Sequence, residues 1–236
     1  MGVNYFIFNG ESSLDHGIYV GGQGTFNAPQ RDVSKVSIPG MSGDLVRDNG
    51  RWLNIEVPYN IVIMDDFREK SDAVRAWLCE PKGYARLEDT YHPEYFRMAR
   101  FTGTIEFETA AYNKSGKATV VFDCKPQRFL KSGEPLLPMV NGGVIVNPTR
   151  YESKPLIRIV CNGNGSVTVG DYTISLSGIS TYVDVDSELQ DCYAGSQSLN
   201  NKVTLSNGFP MLSGRVPIGW TGSVTKVMIA GRWFTL

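Results

Sequence analysis

Glu88, Asp89, His92 and Glu94 fall within seven consecutive positions, in the stretch LEDTYHPEYF from Leu87 to Phe96. Carboxylates beside an imidazole could form a general acid–base pair or part of a metal site. Both chemistries need more than closeness along the chain. An acid–base pair needs a cleft and two groups whose pKa values are pushed apart. A zinc site needs further ligands at a suitable spacing. The one other histidine, His16, lies far off with no HExxH pattern. Pro93 disfavours helical backbone at His92, and the stretch joins two strand-like segments, YARLED and YFRMARFTGTIEF. An acidic turn is the expected reading, with no catalytic residue, metal ligand or cofactor-binding residue assigned.

Other motifs invite chemistry and yield to blander readings. GNGSVTVG (Gly163 to Gly170) resembles a phosphate loop, but such a loop must lead into a helix N-terminus. Here SVTV continues as strand, which predicts a hairpin. PGMSG (Pro39 to Gly43) is not GxSxG. DVDSELQD (Asp184 to Asp191) has alternating acids but lacks the glycine of an EF-hand loop, and reads as a strand end entering a turn. Trp220 and Trp233 could stack on sugar rings or serve as core residues. Cys79, Cys124, Cys161 and Cys192 form no CxxC pair and read as free thiols.

The elements that would position these residues are mostly strands. VNYFIFN ends at an Asn-Gly turn signal, and LNIEVPYNIVIM alternates until Pro58, which marks an edge, bulge or bend. FTGTIEFETAAY and GKATVVFDC read as two further strands. One helix is predicted in DDFREKSDAVRAWLCE, where Phe67, Val74, Trp77 and Leu78 share a face and Pro81 and Gly83 follow. GGQGTFNAPQRDVSKVSIPGMSG (Gly21 to Gly43) is punctuated by Gly and Pro around one strand-like run, and reads as a projecting arm. KSGEPLLPMVNGGVIVNP (Lys131 to Pro148) has no period and reads as a linker. Short strands with Gly-rich turns then return, the pattern of a β-sandwich. The expected architecture is mainly β: residues 1–134, with one helix and the arm; a linker at 135–146; and a β-sandwich at 147–236.

Composition narrows the class. The 236 residues carry a formal net charge of -1, with 42% hydrophobic and 20% charged residues, as in ordinary globular proteins. No Lys/Arg block offers an electrostatic footprint for nucleic acid. No apolar run approaches the roughly 20 residues of a membrane helix, and the N-terminal stretch lacks a signal-peptide pattern.

Several stretches, in order, resemble the distal tail (Dit) proteins of long flexible-tailed bacteriophages. They are FNGESSLDHGIYV (Phe8 to Val20), IPGMSGDLVRDNGRWLNIEVPYNI (Ile38 to Ile61), the helix end AWL, GYARLEDTYHPEYFRMARF (Gly83 to Phe101) and GKATVVFDCKPQRFL (Gly116 to Leu130). NPTRYESKPLIRIVCNGNGSVTV (Asn147 to Val169), YVDVDSELQDCY (Tyr182 to Tyr193) and WTGSVTKVMIAGRWFTL (Trp220 to Leu236) follow. Ala230-Gly231 depart from a frequent proline before Arg-Trp. The resemblance implies an N-terminal β-sandwich-like ring domain and a C-terminal galectin-like β-sandwich. It implies a structural, non-enzymatic role in the virion: a hexameric ring at the tail tip, with DNA passing through without specific binding. The implied partners are the tail tube protein, the tail-associated or baseplate hub protein and a receptor-binding protein, with no membrane and no cofactor. Assembly in the host cytoplasm is implied. Within that reading Phe26, Val33, Val36 and Ile38 are the candidate ring contacts on the arm. The rival is a carbohydrate-binding adsorption protein using Trp220 and Trp233.

Overall fold

The computed structural model describes residues 3–236, which fall into two compact units. The first runs to Arg128 and takes in Leu236; the second spans Phe129–Thr235.

The first unit contains β1 (Phe6–Phe8), β2 (Glu11–Ser12), β3 (Ile18–Gly21), β4 (Arg31–Ser37), β5 (Asp44–Trp52), β6 (Ile55–Ile63), helix α1 (Phe67–Cys79), β7 (Ala85–Asp89), β8 (Tyr95–Phe101), β9 (Glu108–Ala110) and most of β10 (Ser115–Leu130). Its main sheet has the order β2-β1-β7-β8-β10-β6-β3. Asn4, just before β1, bridges to Val20 of β3, and the Val20 N–H donates to the Asn4 carbonyl at 3.1 Å. The two ends of the sheet therefore meet. Curling a sheet until it closes pairs the edges that an open sheet would expose.

Alternation explains which side faces inward. Ile55, Val57, Tyr59, Ile61 and Ile63 of β6 are buried, with Phe6, Phe8, Val120 and Phe122 from neighbouring strands. Pro58 faces Val121 of β10 without a register shift. On the other side β3 reaches only Asn60, so no neighbour there needs the missing proline N–H. The expected helix forms over Phe67–Cys79 and buries Ser71, Val74, Trp77 and Leu78. Trp77 lies parallel to Phe6 at 5.6 Å and stacks on His16 at 4.2 Å. His16 is thus a packing residue, with its Nε2 2.9 Å from Glu11. Phe67 is half-buried against the core.

The second unit comprises β11 (Leu137–Pro138), β12 (Val144–Val146), β13 (Leu156–Val169), β14 (Tyr172–Ile179), β15 (Tyr182–Asp186), β16 (Asp191–Ala194), β17 (Gln197–Ser198), β18 (Val203–Ser206), β19 (Arg215–Ala230) and β20 (Phe234–Thr235). β13 and β19 pair along their length, with register shifts between Val160 and Gly165. One half of β13 pairs with β15 and the other with β14, so the shifts let one strand serve two parts of a curled sheet. The interior holds Ile157, Ile159, Val167, Val169, Ile174 and Val183, each fully buried.

Residues 135–146, expected as a linker, supply β11 and β12, both paired with β19. Ile145 enters the core at 8% exposure. The three prolines and three glycines between Lys131 and Pro148 mask strands too short to show a period. Asn147 then anchors the chain. Its side-chain N–H groups donate to the Tyr151 and Leu212 carbonyls at 2.8 and 2.9 Å, and its Oδ1 accepts from the Thr149 N–H and hydroxyl.

Candidate functional site

The segment read as an arm is half of a hairpin. β4 pairs with β5 from Arg31↔Trp52 to Ser37↔Asp44, and the two strands form a sheet of their own. The connection IPGMSG turns at Ile38-Pro39-Gly40-Met41. Met41 N–H donates to the Ile38 carbonyl at 3.1 Å and Gly40 has φ 83°. Pro at the second position and a left-handed Gly at the third are what a type II turn requires.

Polar bonds hold the stem. Arg31 Nε is 2.8 Å from Asp48, Arg51 Nε is 2.6 Å from Asp32, and Asn49 donates to Asp32 and the Ser34 hydroxyl. The Arg31 guanidinium lies over the Trp52 ring at 4.9 Å. Arg51 holds the Asp32 carboxyl below its ordinary pKa, and Arg31 does the same for Asp48. Towards the tip the side chains are apolar and exposed: Val36 52%, Met41 53%, Leu45 53% and Val46 56%. Val36 faces Leu45, while Val46 faces Lys35 on the other side of the ribbon. A two-stranded ribbon in water is marginal by itself. This one presents apolar residues on both faces and, among the described residues, an outer edge on each strand that no other strand pairs.

Of the four expected arm residues, Val36 and Ile38 lie exposed at this tip, and Val33 is half-buried on β4. Phe26 lies elsewhere. It precedes the hairpin and packs edge-on against His92 at 5.0 Å. This contact gives LEDTYHPEYF its role. Asp89 Oδ1 accepts from the His92 backbone N–H, three residues on, at 2.8 Å and sits 3.3 Å from His92 Nδ1, which holds the turn. Its Oδ2 accepts from the Tyr59 hydroxyl at 2.6 Å. Burial, with Asp89 alongside, pushes the Tyr59 phenol well above its ordinary pKa. Glu88 pairs with Arg86, and Glu94 is exposed. The turn then grips the arm root: the Tyr91 hydroxyl donates to the Gly22 carbonyl at 3.0 Å. A Cβ at Gly24 would stand 2.8 Å from Tyr91 Cβ, so glycine is needed there for the close approach. Sequence reading found the turn but not its partner, which lies 69 residues away.

The other candidates are structural. Asp184 takes two bonds from Arg158 at 2.7 and 2.6 Å. Asp186 takes two from Arg232 at 2.7 and 2.8 Å, and its Oδ1 also caps Glu188 and Leu189. The two buried acids of the row are thus held by arginines, while Glu188 pairs with Lys154 and Asp191 accepts from Asn200. Trp233, a candidate sugar platform, is 6% exposed inside the core. Its ring lies so close to Gly231 that a Cβ there would stand 2.1 Å away. That packing accounts for glycine before Arg232-Trp233. Trp220 is half-buried against the same core.

No protein-family model and no curated protein matches the sequence. Solved structures do match in fold. The crystal structure of the Dit protein (gp 19.1) of phage SPP1 aligns with TM-score 0.77 at 14% identity, covering 100% of both chains. It is described as a paradigm of the hub adsorption apparatus in phages that infect Gram-positive bacteria. Chains of the phage p2 baseplate in its activated conformation, with strontium and with calcium, align with TM-scores 0.53 and 0.54 at 10% and 11% identity, over 97% of each chain. The chain therefore has the two-part β fold of these phage tail components from end to end.

Proposed function

We infer that this chain is a structural component of a phage tail tip, acting as a distal tail protein and not as an enzyme. The observation that carries the reading is the β4–β5 ribbon, which leaves a closed sheet with apolar tip residues and edges that its own unit does not pair. A ribbon given by one subunit and received by the next makes a head-to-tail contact, which must close into a ring or polymerise. The resemblance to distal tail proteins supplies the number, six. The full-length likeness to the SPP1 protein supports the same place in a virion. A ring of this kind joins the tail tube to a baseplate hub and receptor-binding protein, with DNA passing through its centre. A chain of net charge -1 suits a wall that DNA must slide past. Assembly takes place in the host cytoplasm.

Native mass spectrometry and negative-stain imaging of the purified chain test the reading. A closed ring of six, reduced to smaller species when residues 31–52 are replaced by a short Gly/Ser link, is the expected result. A strict monomer at high concentration sinks self-driven closure. A ring that survives the replacement sinks the ribbon mechanism.

A further inference from the structure

The first unit has two unlike ends. β6 runs from Ile55, which faces Cys124 of β10, to Ile63, which faces Gly116 of β10 on one side and Ile18 of β3 on the other. The ribbon joins at the Ile55 end, where the Leu53 N–H donates to the Gln30 carbonyl at 2.9 Å. The nine residues of β6 put the other end about 26 Å away. Three segments meet there. A Cβ on Gly17, in the turn that starts at Leu14, would stand 2.8 Å from the Lys70 side chain of α1. The Phe67 ring, at the start of α1, lies against Gly116, at the base of the β9–β10 hairpin.

This far end carries exposed apolar groups. Leu14, Met64 and Tyr112 are exposed, Tyr112 completely. Tyr112 is held out by a turn in which Ala111, Tyr112 and Asn113 all have left-handed backbone, with φ 51°, 56° and 63°. L residues adopt that conformation at a cost, and such strain collects at binding surfaces. A fully exposed ring gains no packing within its own unit to offset it. Charge also distinguishes the two ends. The ion pairs Asp65–Lys70 and Glu108–Lys117 aside, residues 14–17, 64–70 and 108–117 keep Asp15, Asp66 and Glu69 against Arg68 and Lys114. Asp66 makes no side-chain cap to α1. The ribbon, with Arg31–Asp48 and Arg51–Asp32 set aside, keeps Lys35 and Arg47 against Asp44. Arg47 is two residues from Leu45 on β5, so it shares the face of Val36 and Leu45. The tip is thus apolar with a net positive rim, and the far end is apolar with a net negative one.

We propose, on the ring reading above, that the ribbon tip of one copy seats on the far end of the next, with Val36, Met41 and Leu45 against Leu14, Met64 and Tyr112. Both surfaces are exposed in a single copy, so the contact is made between copies. Tip-to-tip and end-to-end contacts would set like charge on like, which favours the head-to-tail order.

Complementation between two defective chains is the test. Met64→Asp with Tyr112→Asp changes exposed positions only, and Asp tolerates left-handed backbone. The melting temperature should stay within about 2 °C of the parent, while sedimentation should show assembly weakened at least about tenfold. This variant keeps its ribbon; the chain with residues 31–52 replaced by a Gly/Ser link keeps its receiving end. Each alone should stay monomeric at concentrations where the parent assembles. Mixed, they should give a one-to-one heterodimer that grows no further, read by native mass spectrometry. If the double variant assembles like the parent while ribbon replacement abolishes assembly, the receiving surface is wrong and the ring reading stands. Two monomeric variants that yield no heterodimer also overturn the receiving surface. A parent chain that never assembles overturns both.

Discussion

His92 shows how one residue can look catalytic and serve architecture. Its partners are a backbone-capping aspartate, Asp89, and an arm-root phenylalanine, Phe26, and each contact has a packing or hydrogen-bonding reason. The acidic side chains of the second unit follow the same logic. Asp186 is 1% exposed and held by Arg232 on both oxygens. Burial alone would raise its pKa, but the Arg232 bonds and the Leu189 and Glu188 backbone N–H groups win and lower it. A carboxyl with a depressed folded pKa contributes stability that is fully present above its unfolded value, about 3.9, and is lost as pH falls through the folded value. Asp186→Asn should cost about 3–5 kcal/mol at neutral pH, by stranding Arg232. It should also flatten the acid limb of the stability curve; chemical denaturation across pH measures both. The thiols give a second residue-scale test. Burial pushes Cys124 up to about 12 and Cys192 to about 11, and raises Cys161, whereas Cys79 is exposed. The thiolate is the reactive form. An aromatic disulfide reagent should therefore titrate one thiol per native chain quickly, and four after denaturation. Rapid reaction of more than one native thiol would contradict the buried assignment.

Among the elements, the ribbon and its root carry the functional reading. Removing the Tyr91 hydroxyl by Tyr91→Phe takes away one bond to Gly22 and should cost about 1 kcal/mol locally. The expected signature is faster amide exchange in residues 22–30 with an unchanged exchange pattern in β6 and β10. The ribbon tip should behave in the opposite way. Leu45→Asp with Val46→Asp changes exposed positions, so the melting temperature should move by less than about 2 °C. Assembly should weaken sharply, because the substitutions put charge where a partner buries apolar area. Sedimentation at matched concentrations reads the difference, and a double variant that still assembles like the parent would move the contact off the tip.

At the scale of the whole molecule, each unit has its own core, and a fragment should fold when it keeps every strand that core uses. The structural boundary falls after Arg128, which leaves Leu130 bonded to Trp233 and keeps Met139 and Ile145 on the second core. A fragment of residues 129–236 should melt cooperatively with β-type circular dichroism. One of residues 147–236, which loses β11, β12 and Leu130, should melt at least about 5 °C lower, since losing Ile145 and Met139 removes several kcal/mol of apolar packing. Equal melting of the two fragments would mean that residues 129–146 are a passive connection.

Features encoded by a local period or a turn residue were legible along the chain. Alternation up to Pro58 marked Ile55 and Val57 as one face of β6, helical spacing marked α1, and Pro93 marked the turn after β7. Features that depend on distant partners became legible in the folded chain. The closure of the sheet through Asn4 and Val20, the pairing of DVSKVSI with β5, and the short strands inside an apparent linker all rest on hydrogen bonds between far-apart residues. So does the grip of Tyr91 on Gly22. Strands too short for two periods, and contacts spanning 69 residues, leave no periodic trace along the chain, because their stability comes from neighbours that only folding brings together.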